Sequence, residues 1–357
     1  MTLSLCMIVK DEELTLARCL DSCKDLFDEI IIVDTGSSDK TVEIAKKYTD
    51  KVYFFEWCDD FSKARNFSLS KATKDYILWL DADDIIEEKE LEKLNNLKNN
   101  FDTSIDVIML KYKLTSKDKN TLPLTFYRER IFRNDKSFNF VSPIHEVIVP
   151  HGNVKYIDIY ITHKKEKDSD PKRNLKIFEK MIQNGVEFDA RQTFYYAREL
   201  YYNSRFNKAI KIYNNFLNMD NAYVENKISA CIDLYDIYMH KDKKEKALMY
   251  LFKTFMYEKP RSEVCCHIAN YFLTNKNYDT AIFWYLNAIN NTSNYTNGGF
   301  YIKDYEDFIP YINLCVCYFY KNDIQKAIYY NNLAGSIRPN NESYIYNYNF
   351  LKNYNFH

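Results

Sequence analysis

The chain has 357 residues, with 49 Lys and Arg against 50 Asp and Glu and a formal net charge of −1. A domain that holds nucleic acid is usually visibly basic, so this balance argues against a nucleic-acid-binding protein. The length allows two or three domains, and 46% hydrophobic residues are typical of a globular chain. Only 7 of the 32 Tyr precede residue 170, which indicates two regions built on different plans.

The cysteines and the N-terminus predict a cytoplasmic protein with free thiols. There are nine Cys, an odd number, and the opening residues lack the basic segment and long apolar run of a signal peptide. No window approaches ~18 uninterrupted apolar residues, so we expect no transmembrane segment. The cysteines at 265–266 and at 315 and 317 could suggest a metal site, but their apolar surroundings favour buried thiols.

Residues 1–163 alternate short apolar runs with amphipathic stretches, a pattern typical of βαβ units. The predicted strands are Leu3–Val9, Glu29–Val33, Val52–Glu56, Tyr76–Leu80, Ile105–Lys113, Leu124–Phe132 and Val154–Thr162. The predicted helices are Glu12–Lys24, Lys40–Tyr48, Phe61–Ala72 and Ile85–Asn99. We therefore expect an α/β domain with a mixed, Rossmann-like sheet that is largely parallel.

From about Pro171 the strand pattern stops, and four helical segments open an apolar turn with an alanine. These alanines are Ala209, Ala247, Ala281 and Ala327, at separations of 38, 34 and 46 residues. A period near ~34 with aromatics in paired helices is the tetratricopeptide signature. The longest separation contains an insertion, Asn291–Asp304. We expect an all-α tetratricopeptide-like solenoid, with domains at 1–168 and 169–357.

Cysteines recur at one place in the first helix of successive pairs, as Cys231, Cys265 and Cys315. Such a place needs a small apolar side chain where helices cross closely, and we interpret the Tyr and Phe stripes as packing residues too. A stacking platform for nucleic-acid bases is the alternative interpretation. No basic groove accompanies the aromatics, which argues against it.

Polar clusters follow the first two predicted strands, and ligands of open α/β sheets bind at the carboxyl ends of strands. Asp11 and Glu12 follow the first strand, and Asp34 and Gly36 follow the second. Gly36 is one of two Gly before residue 170, so we expect a sharp turn there. A polar turn beside a helix N-terminus suits an anionic or polar ligand, although a simple capped turn would use the same residue types.

Three carboxylates, Asp81, Asp83 and Asp84, follow the apolar strand Tyr76–Leu80. In an extended chain, positions 81 and 83 point the same way, so two carboxylates could converge on one Mg²⁺ or Mn²⁺ ion. Alternatively, Asp84 and Glu87 form a capping box for the next helix. That alternative explains Asp81 less well, because a carboxylate that ends a buried strand is costly without a function.

A fourth cluster lies further along the same region and combines Arg, His and Glu. It consists of Arg130, Arg133, His145, Glu146 and His163. A lone His is more often a satisfied surface or core residue. Here carboxylates, turns and His recur at successive strand ends, which favours a functional site.

Several segments occur in an order that resembles a known family: SLCMIVKDEELTLARCLDSC, DEIIIVDTGSSDKTVEIAKKY, FEWCDDFSKARNFSLSKA and YILWLDADD. They resemble the family 2 glycosyltransferases, which have a GT-A fold. The resemblance is close over about the first 90 residues, and RIFR and IHEVI extend it to His163. A GT-A domain followed by tetratricopeptide repeats is similar to bacterial transferases that modify proteins or peptides, including the SunS type, and to envelope-sugar transferases.

The resemblance implies a role for each candidate residue. Asp34 would contact the nucleotide base or ribose. The rest of the nucleotide-sugar pocket would comprise Asp11, Glu12, Gly36, Arg65, Asn66 and Asp81. The metal ligands would be Asp81, Asp83 and His163. Glu146 would be the catalytic base. Acceptor or diphosphate contacts would come from Arg130, Arg133 and His145.

The implied activity is an inverting, metal-dependent transfer of a sugar from a nucleotide sugar, with UDP as the expected nucleotide and Mn²⁺ or Mg²⁺ as the cofactor. The expected acceptor is a protein or peptide held by the repeats, since solenoid surfaces commonly hold extended peptides. Whether the protein forms a homodimer stays open.

Three other functions agree with parts of the sequence. The acceptor could instead be a lipid-linked or envelope glycan, or the chain could be a non-catalytic repeat adaptor. A nucleotidyltransferase would share the α/β plan, but it usually relies on a Gly-rich phosphate loop, and Gly is scarce here.

Overall fold

The computed structural model describes residues 1–114, 124–166, 170–291 and 302–354. The described residues divide into two compact units, with a division between Gly185 and Val186. Residue 168 of the predicted domain boundary and most of the predicted insertion Asn291–Asp304 lie outside the described residues. The boundary stays a prediction.

The first unit is an α/β domain around an eight-stranded mixed sheet. Its strands are β1 (Leu3–Val9), β2 (Glu29–Asp34), β3 (Val52–Phe54), β4 (Tyr76–Trp79), β5 (Asp84–Ile85), β6 (Val107–Leu114), β7 (Leu124–Arg133), β8 (Phe140–Val141), β9 (Val147–Ile148) and β10 (Val154–His163). Its helices are α1 (Leu16–Asp21), α2 (Thr41–Ala45), α3 (Phe61–Leu69), α4 (Glu88–Asn99) and α5 (Arg173–Gln183). The predicted α/β class with a mixed sheet is confirmed, and all seven predicted strands are present.

The sheet has the strand order β3-β2-β1-β4-β7-β6-β10-β5, while β8 and β9 form a separate pair. Its central strands are buried on both faces, as the long apolar runs of β1 and β4 require. Alternate residues of β1 serve different cores: Leu5 packs in a cluster with Leu16 and Leu20 of α1. Cys6 packs with Trp79 in a second cluster. Helices therefore cover both faces of the sheet.

Strand β7 runs antiparallel between β4 and β6, whereas β6 and β10 are parallel to each other. Strands β4, β6 and β10 consequently point the same way, and their carboxyl ends lie at the same end of the sheet. The two-residue strand β5 pairs with the end of β10 and places Asp84 opposite His163. This pairing joins the acidic turn after β4 to the last residue of β10.

Strand β10 contains a bulge that shifts its register against β6. Ile157 pairs with Leu110 and Tyr160 pairs with Lys111, so two residues of β10 are extra between these pairs. The backbone N–H of Tyr160 donates to the buried carboxylate of Glu90 at 3.0 Å. That hydrogen bond satisfies a donor where the ladder is interrupted.

The second unit is helical in its described residues and consists of successive hairpins. Its helices are α6 (Ala190–Tyr202), α7 (Phe206–Leu217), α8 (Val224–His240), α9 (Lys244–Lys253), α10 (Ser262–Thr274), α11 (Tyr278–Asn290), α12 (Phe308–Tyr320), α13 (Ile324–Ile337) and α14 (Glu342–Tyr354). In four hairpins, three residues connect the two helices. The middle residue of each turn has a positive φ of 52° to 60°, and these middle residues are Ser204, Asp242, Lys276 and Asn322. The recurrence confirms the predicted tetratricopeptide-like repeats.

Small residues occupy the positions where the helices of the second unit cross. The four repeat alanines have 0% exposure, and Cys231, Cys265 and Cys315 have at most 2%. All nine cysteines are free thiols, and eight of them are buried; Cys58 is exposed. Among the described helices, none is both long and apolar enough to cross a bilayer.

Candidate active site

The turns after β1 and β2 are bound to each other by hydrogen bonds. The Asp34 carboxylate accepts the backbone N–H groups of Gly36 at 3.0 Å and of Ser37 at 3.1 Å. Gly36 has a φ of +102°, so the predicted sharp turn is present and requires Gly. The Asp11 carboxylate accepts the N–H of Ser38 at 2.7 Å. Asp11 and Asp34 therefore lie at one end of the sheet, where their contact with a nucleotide stays a prediction.

Glu12 belongs to the same end of the sheet. Its backbone N–H donates to the Thr41 hydroxyl at 2.6 Å, and its carboxylate accepts the Thr15 hydroxyl at 2.5 Å. These bonds fix Glu12 between the start of α1 and the start of α2. Its role in the nucleotide pocket also stays a prediction.

Arg65 of α3 bridges two carboxylates that are far apart in sequence. Its Nε donates to Glu146 Oε1 at 2.6 Å, and its Nη2 donates to Asp81 Oδ1 at 2.7 Å. Burial alone would lower the pKa of Arg65, but the two carboxylates raise it above its ordinary value. Burial would likewise raise the pKa of Asp81, and Arg65 more than offsets this, so that Asp81 stays below its usual range. Arg65 and Asp81 are therefore both charged at neutral pH.

Three guanidinium groups lie against the buried indole of Trp79. The Cζ atoms of Arg130, Arg65 and Arg128 are 4.0, 4.5 and 4.8 Å from the ring centroid. Cation–π attraction favours this arrangement, which gathers positive charge at the carboxyl end of β4. Arg128 is not among the site residues predicted from the sequence. Its position two residues before Arg130 on one strand places both side chains on the same face, and that spacing was the available signal.

Asp84 is wholly buried within the sheet. Its Oδ2 accepts the backbone N–H of Asp81 at 3.0 Å and lies 3.1 Å from Arg130 Nη2. Its Oδ1 accepts the hydroxyl of Tyr112 at 2.8 Å. Nothing local in the sequence pointed to Tyr112, because it fits the apolar alternation of β6.

The alternative in which Asp84 and Glu87 form a capping box is wrong. Helix α4 begins at Glu88, and its N-cap Glu87 makes no side-chain capping bond. Asp84 belongs to β5, where the ion pair with Arg130 and the Tyr112 hydroxyl compensate the burial of its charge.

Asp83, Asp84 and His163 form a group that could hold a metal ion, with ligand atoms all within 4.8 Å of one another. His163 Nδ1 lies 3.2 Å from Asp83 Oδ1 and 3.3 Å from Asp84 Oδ1. Burial would lower the pKa of His163, but the two carboxylates raise it to about 10. Carboxylate oxygens with one imidazole are donors that suit Mn²⁺ and are compatible with Mg²⁺, so these residues fit a divalent cation.

The structure does not show the predicted convergence of the Asp81 and Asp83 carboxylates on one cation site. Residues 81–84 form a turn in which Asp84 N–H donates to Asp81 O at 3.0 Å, so the extended-chain geometry does not apply. The Asp81 carboxylate instead faces Arg65. Among the described residues, the group suited to a cation contains Asp84 in place of Asp81.

Glu146 and His145 lie in the turn between β8 and β9. His145 has a φ of +51°, and its ring is nearly parallel to that of Phe178 in α5, with centroids 6.4 Å apart. Glu146 points inward to Arg65, and its side chain is 13% exposed. The structure thus brings the predicted base to the same place as Asp81.

Asn66 fixes this hairpin to α3. Its amide nitrogen donates to Phe140 O at 2.9 Å, and its amide oxygen accepts the Phe140 N–H at 2.8 Å. These contacts give Asn66 a structural function, while its predicted contact with a nucleotide stays a prediction.

Arg133 is not at this end of the sheet. It pairs with Tyr76 at the start of β4, because β7 runs antiparallel to β4. Its guanidinium binds Asp106 at 3.0 Å and the carbonyl oxygen of Thr103 at 2.6 Å. The predicted contact of Arg133 with an acceptor or diphosphate is therefore wrong, whereas Arg130 lies beside Asp84.

Residues 4–151 match the family model described as Glycosyl transferase family 2. The first unit of this chain is therefore a glycosyltransferase domain of family 2, and tetratricopeptide-like repeats follow it. The matched range contains Asp81, Asp83 and Glu146, while His163 lies beyond it.

Two relatives each match part of this chain. A TPR repeat-containing protein of Synechococcus elongatus is 41% identical over 146 residues, which cover 41% of this chain and 35% of that protein. Glycosyltransferase SunS of Bacillus subtilis is 28% identical over 230 residues, which cover 61% of this chain and 53% of that protein. The chain thus spans about a third to a half of the length of these relatives.

Solved structures show weaker likenesses. TarS 1–349 of S. aureus in complex with UDP-GlcNAc matches with a TM-score of 0.37 and 18% identity, over 69% of this chain and 89% of that chain. The C-terminal part of a TPR repeat-containing protein from Cytophaga hutchinsonii matches with a TM-score of 0.39 and 17% identity, over 48% and 60% of the two chains. At such TM-scores, neither likeness supports a conclusion about the activity of this chain.

Proposed function

We propose that the protein is a metal-dependent, inverting glycosyltransferase that moves a sugar from a nucleotide sugar, with UDP as the nucleotide, to a protein or peptide. One observation carries the proposal. In a family 2 domain, Arg65 joins the predicted base Glu146 to Asp81, two residues before the cation-binding candidate Asp83. The residues predicted to act on the donor and on the acceptor proton are thus linked through Arg65.

The donor would bind across the carboxyl ends of β1, β2 and β4. Asp34 and Asp11 lie in the joined turns and would contact the base or ribose. Arg128, whose side chain is 24% exposed, would supply positive charge near the diphosphate, and the buried Arg130 would add to this charge without contact. A divalent cation held by Asp83 and His163 would, when bound, neutralise charge that develops on the leaving diphosphate.

Glu146 would act on the acceptor as a general base. The acceptor oxygen or sulfur forms a bond to the anomeric carbon as the bond from that carbon to the diphosphate oxygen breaks, and the acceptor proton passes to the Glu146 carboxylate. Arg65 keeps this carboxylate oriented through its Nε. A single displacement inverts the anomeric centre.

The helical unit supports a protein or peptide as the acceptor. Repeats of this type present extended surfaces along successive helices, and such surfaces commonly hold extended chains. Transfer to membrane extracts but to no peptide would instead favour a lipid-linked or envelope glycan.

The test is to incubate the purified protein with UDP sugars, Mn²⁺ and candidate peptides and to detect the product by mass spectrometry. Glu146→Gln should lower kcat by about 10²- to 10⁴-fold, because it removes the base without changing the size of the side chain. Asp106→Asn is the matched control, since Asp106 binds an arginine at the other end of the sheet. Equal rates for Glu146→Gln and the wild type would show that the assignment of the base is wrong.

A further inference from the structure

We infer that Asp84, Tyr112 and Arg130 form a positioning centre that orients His163 and the Asp81 turn around the cation site. This inference rests on the proposed function and assigns these three residues no contact with substrate. The three neighbouring carboxylates Asp81, Asp83 and Asp84 have different partners.

Each of two carboxylates is matched by a buried arginine. Asp81 binds Arg65 at 2.7 Å, and Asp84 lies 3.1 Å from Arg130. The third carboxylate, Asp83, lies 3.2 Å from His163, and its side chain is 21% exposed. Asp83 and His163 are therefore the pair that faces a cation, while the charge of Asp84 is already neutralised.

Both oxygens of Asp84 bind groups that belong to the site. Oδ2 accepts the N–H of Asp81, and Oδ1 accepts the hydroxyl of Tyr112 and lies 3.3 Å from His163 Nδ1. The side chain has 0% exposure. A carboxylate used in this way fixes the turn that contains Asp83 and leaves Asp83 as the more accessible ligand.

Arg130 is held rigidly between two aromatic rings. Its Cζ lies 4.0 Å from the Trp79 ring centroid and 4.3 Å from that of Tyr112, and its Nη1 donates to Trp79 O at 3.0 Å. The residue has 0% exposure. Arg130 therefore holds its guanidinium beside the Asp84 carboxylate within the sheet.

The Tyr112 hydroxyl connects this pair to the imidazole. It lies 2.8 Å from Asp84 Oδ1 and 2.9 Å from His163 Nδ1. Backbone contacts act in the same direction, because Asp84 pairs with His163 and the Lys164 N–H donates to Asp83 O at 2.9 Å. Such outer partners orient metal ligands, and their loss typically costs 10- to 100-fold in metal affinity or activity.

Tyr112→Phe tests the inference, because it removes one hydroxyl and keeps every charge. Tyr76→Phe is the matched control: Tyr76 is buried in the same sheet, and its hydroxyl donates to Ile105 O at 2.8 Å, away from the site. Binding of Mn²⁺ in the presence of UDP is measured by electron paramagnetic resonance of free Mn²⁺, and melting temperatures are recorded for both variants.

We expect both variants to lose similar amounts of thermal stability, while Tyr112→Phe alone weakens Mn²⁺ binding by about 10- to 100-fold. Equal Mn²⁺ affinities for the two variants would overturn the inference. So would a wild-type protein that binds UDP but no Mn²⁺, although nucleotide binding would then still support a transferase. If the wild type binds both and modifies no acceptor, the proposed function fails, and the two Mn²⁺ affinities still decide the inference.

Discussion

The two units of the molecule each bury a cluster of Arg, Asp and Tyr, and the clusters differ in their surroundings. In the first unit Arg130, Asp84 and Tyr112 come from three strands. In the second unit, Arg198 of α6 binds Asp233 of α8 at 3.0 Å, and the Tyr213 hydroxyl of α7 donates to Asp233 at 2.5 Å.

A buried cluster of Arg, Asp and Tyr therefore does not by itself indicate a catalytic site. The cluster of the second unit joins three helices of consecutive hairpins and thereby stabilises the repeat array. The cluster of the first unit lies at the carboxyl ends of strands, where Asp83 and His163 adjoin it. Position in the fold, rather than residue type, distinguishes the two.

The largest expected effect separates the clusters by activity. Asp83→Asn should lower the rate of sugar transfer by about 10³-fold, because a bound cation is worth several kcal/mol of transition-state stabilisation. Asp233→Asn, normalised to folded protein, should leave the rate of a donor-only reaction such as nucleotide-sugar hydrolysis within about twofold. Initial rates with saturating Mn²⁺ measure both, and a normal rate for Asp83→Asn would contradict the site.

The next effect separates the clusters by stability. Asp233→Ala should destabilise the second unit by about 3 kcal/mol, because it leaves the Arg198 guanidinium, whose side chain is only 18% exposed, without its partner. Urea unfolding measures the loss, and hydrogen exchange should locate it in α6, α7 and α8. A loss below about 1 kcal/mol would show that the ion pair contributes little to joining the hairpins.

The two units should also respond to acid with opposite signs. Burial would raise the pKa of Glu29 in β2, but Lys51, Ser4 and Thr73 lower it to about 2. A lowered carboxyl pKa stabilises the fold above pH 4.5, so the first unit should lose about 3 kcal/mol as the pH falls from 4.5 to 2. Glu29→Gln should abolish this part of the acid sensitivity.

In the second unit burial raises the pKa of Glu263 to about 7 and, together with Asp233, that of Asp236 to about 6. Raised carboxyl pKa values mean that the folded state binds protons first, so this unit should gain about 1–2 kcal/mol as the pH falls from 7 to 5, after allowance for partial exposure. Hydrogen exchange, corrected for the intrinsic exchange rates, measures the stability of each unit at pH 7 and at pH 5. A Glu263→Gln variant with an unchanged pH response would refute the assignment.

The smallest effect concerns single hydroxyl groups. Tyr213→Phe should destabilise the second unit by about 1–2 kcal/mol, because Asp233 loses one hydrogen bond and keeps Arg198. Mn²⁺ binding should stay unchanged, in contrast to Tyr112→Phe. A change in Mn²⁺ affinity would mean that the second unit influences the site.

The sequence predicted the strands and the repeats well because both depend on local periodicity. The seven predicted strands and the helices of the hairpins follow from alternating or helical apolar patterns. The two-residue strands β5, β8 and β9 are too short to produce a pattern. Helix α1 begins four residues later than predicted, at Leu16, because side chains bind the turns after β1 and β2 to each other. Helix α2 begins close to the predicted position and ends three residues earlier, at Ala45.

The candidate site was predicted less completely, because its pairing depends on strand order. Insertion of the antiparallel β7 beside β4 places Arg130 near Asp84 and takes Arg133 to the opposite end of the sheet. Motif spacing alone does not contain that information. The turn at residues 81–84 likewise directs the Asp81 carboxylate to Arg65 and buries the Asp84 carboxylate beside Arg130, which the motif alone did not indicate.

The bulge in β10 means that the site depends on chain length as well as on residue identity. Side chains alternate along a strand, so deletion of one of the two extra residues between Ile157 and Tyr160 would turn His163 to the other face of the sheet. A substitution there would leave the imidazole in place. This segment should therefore tolerate substitutions better than insertions or deletions.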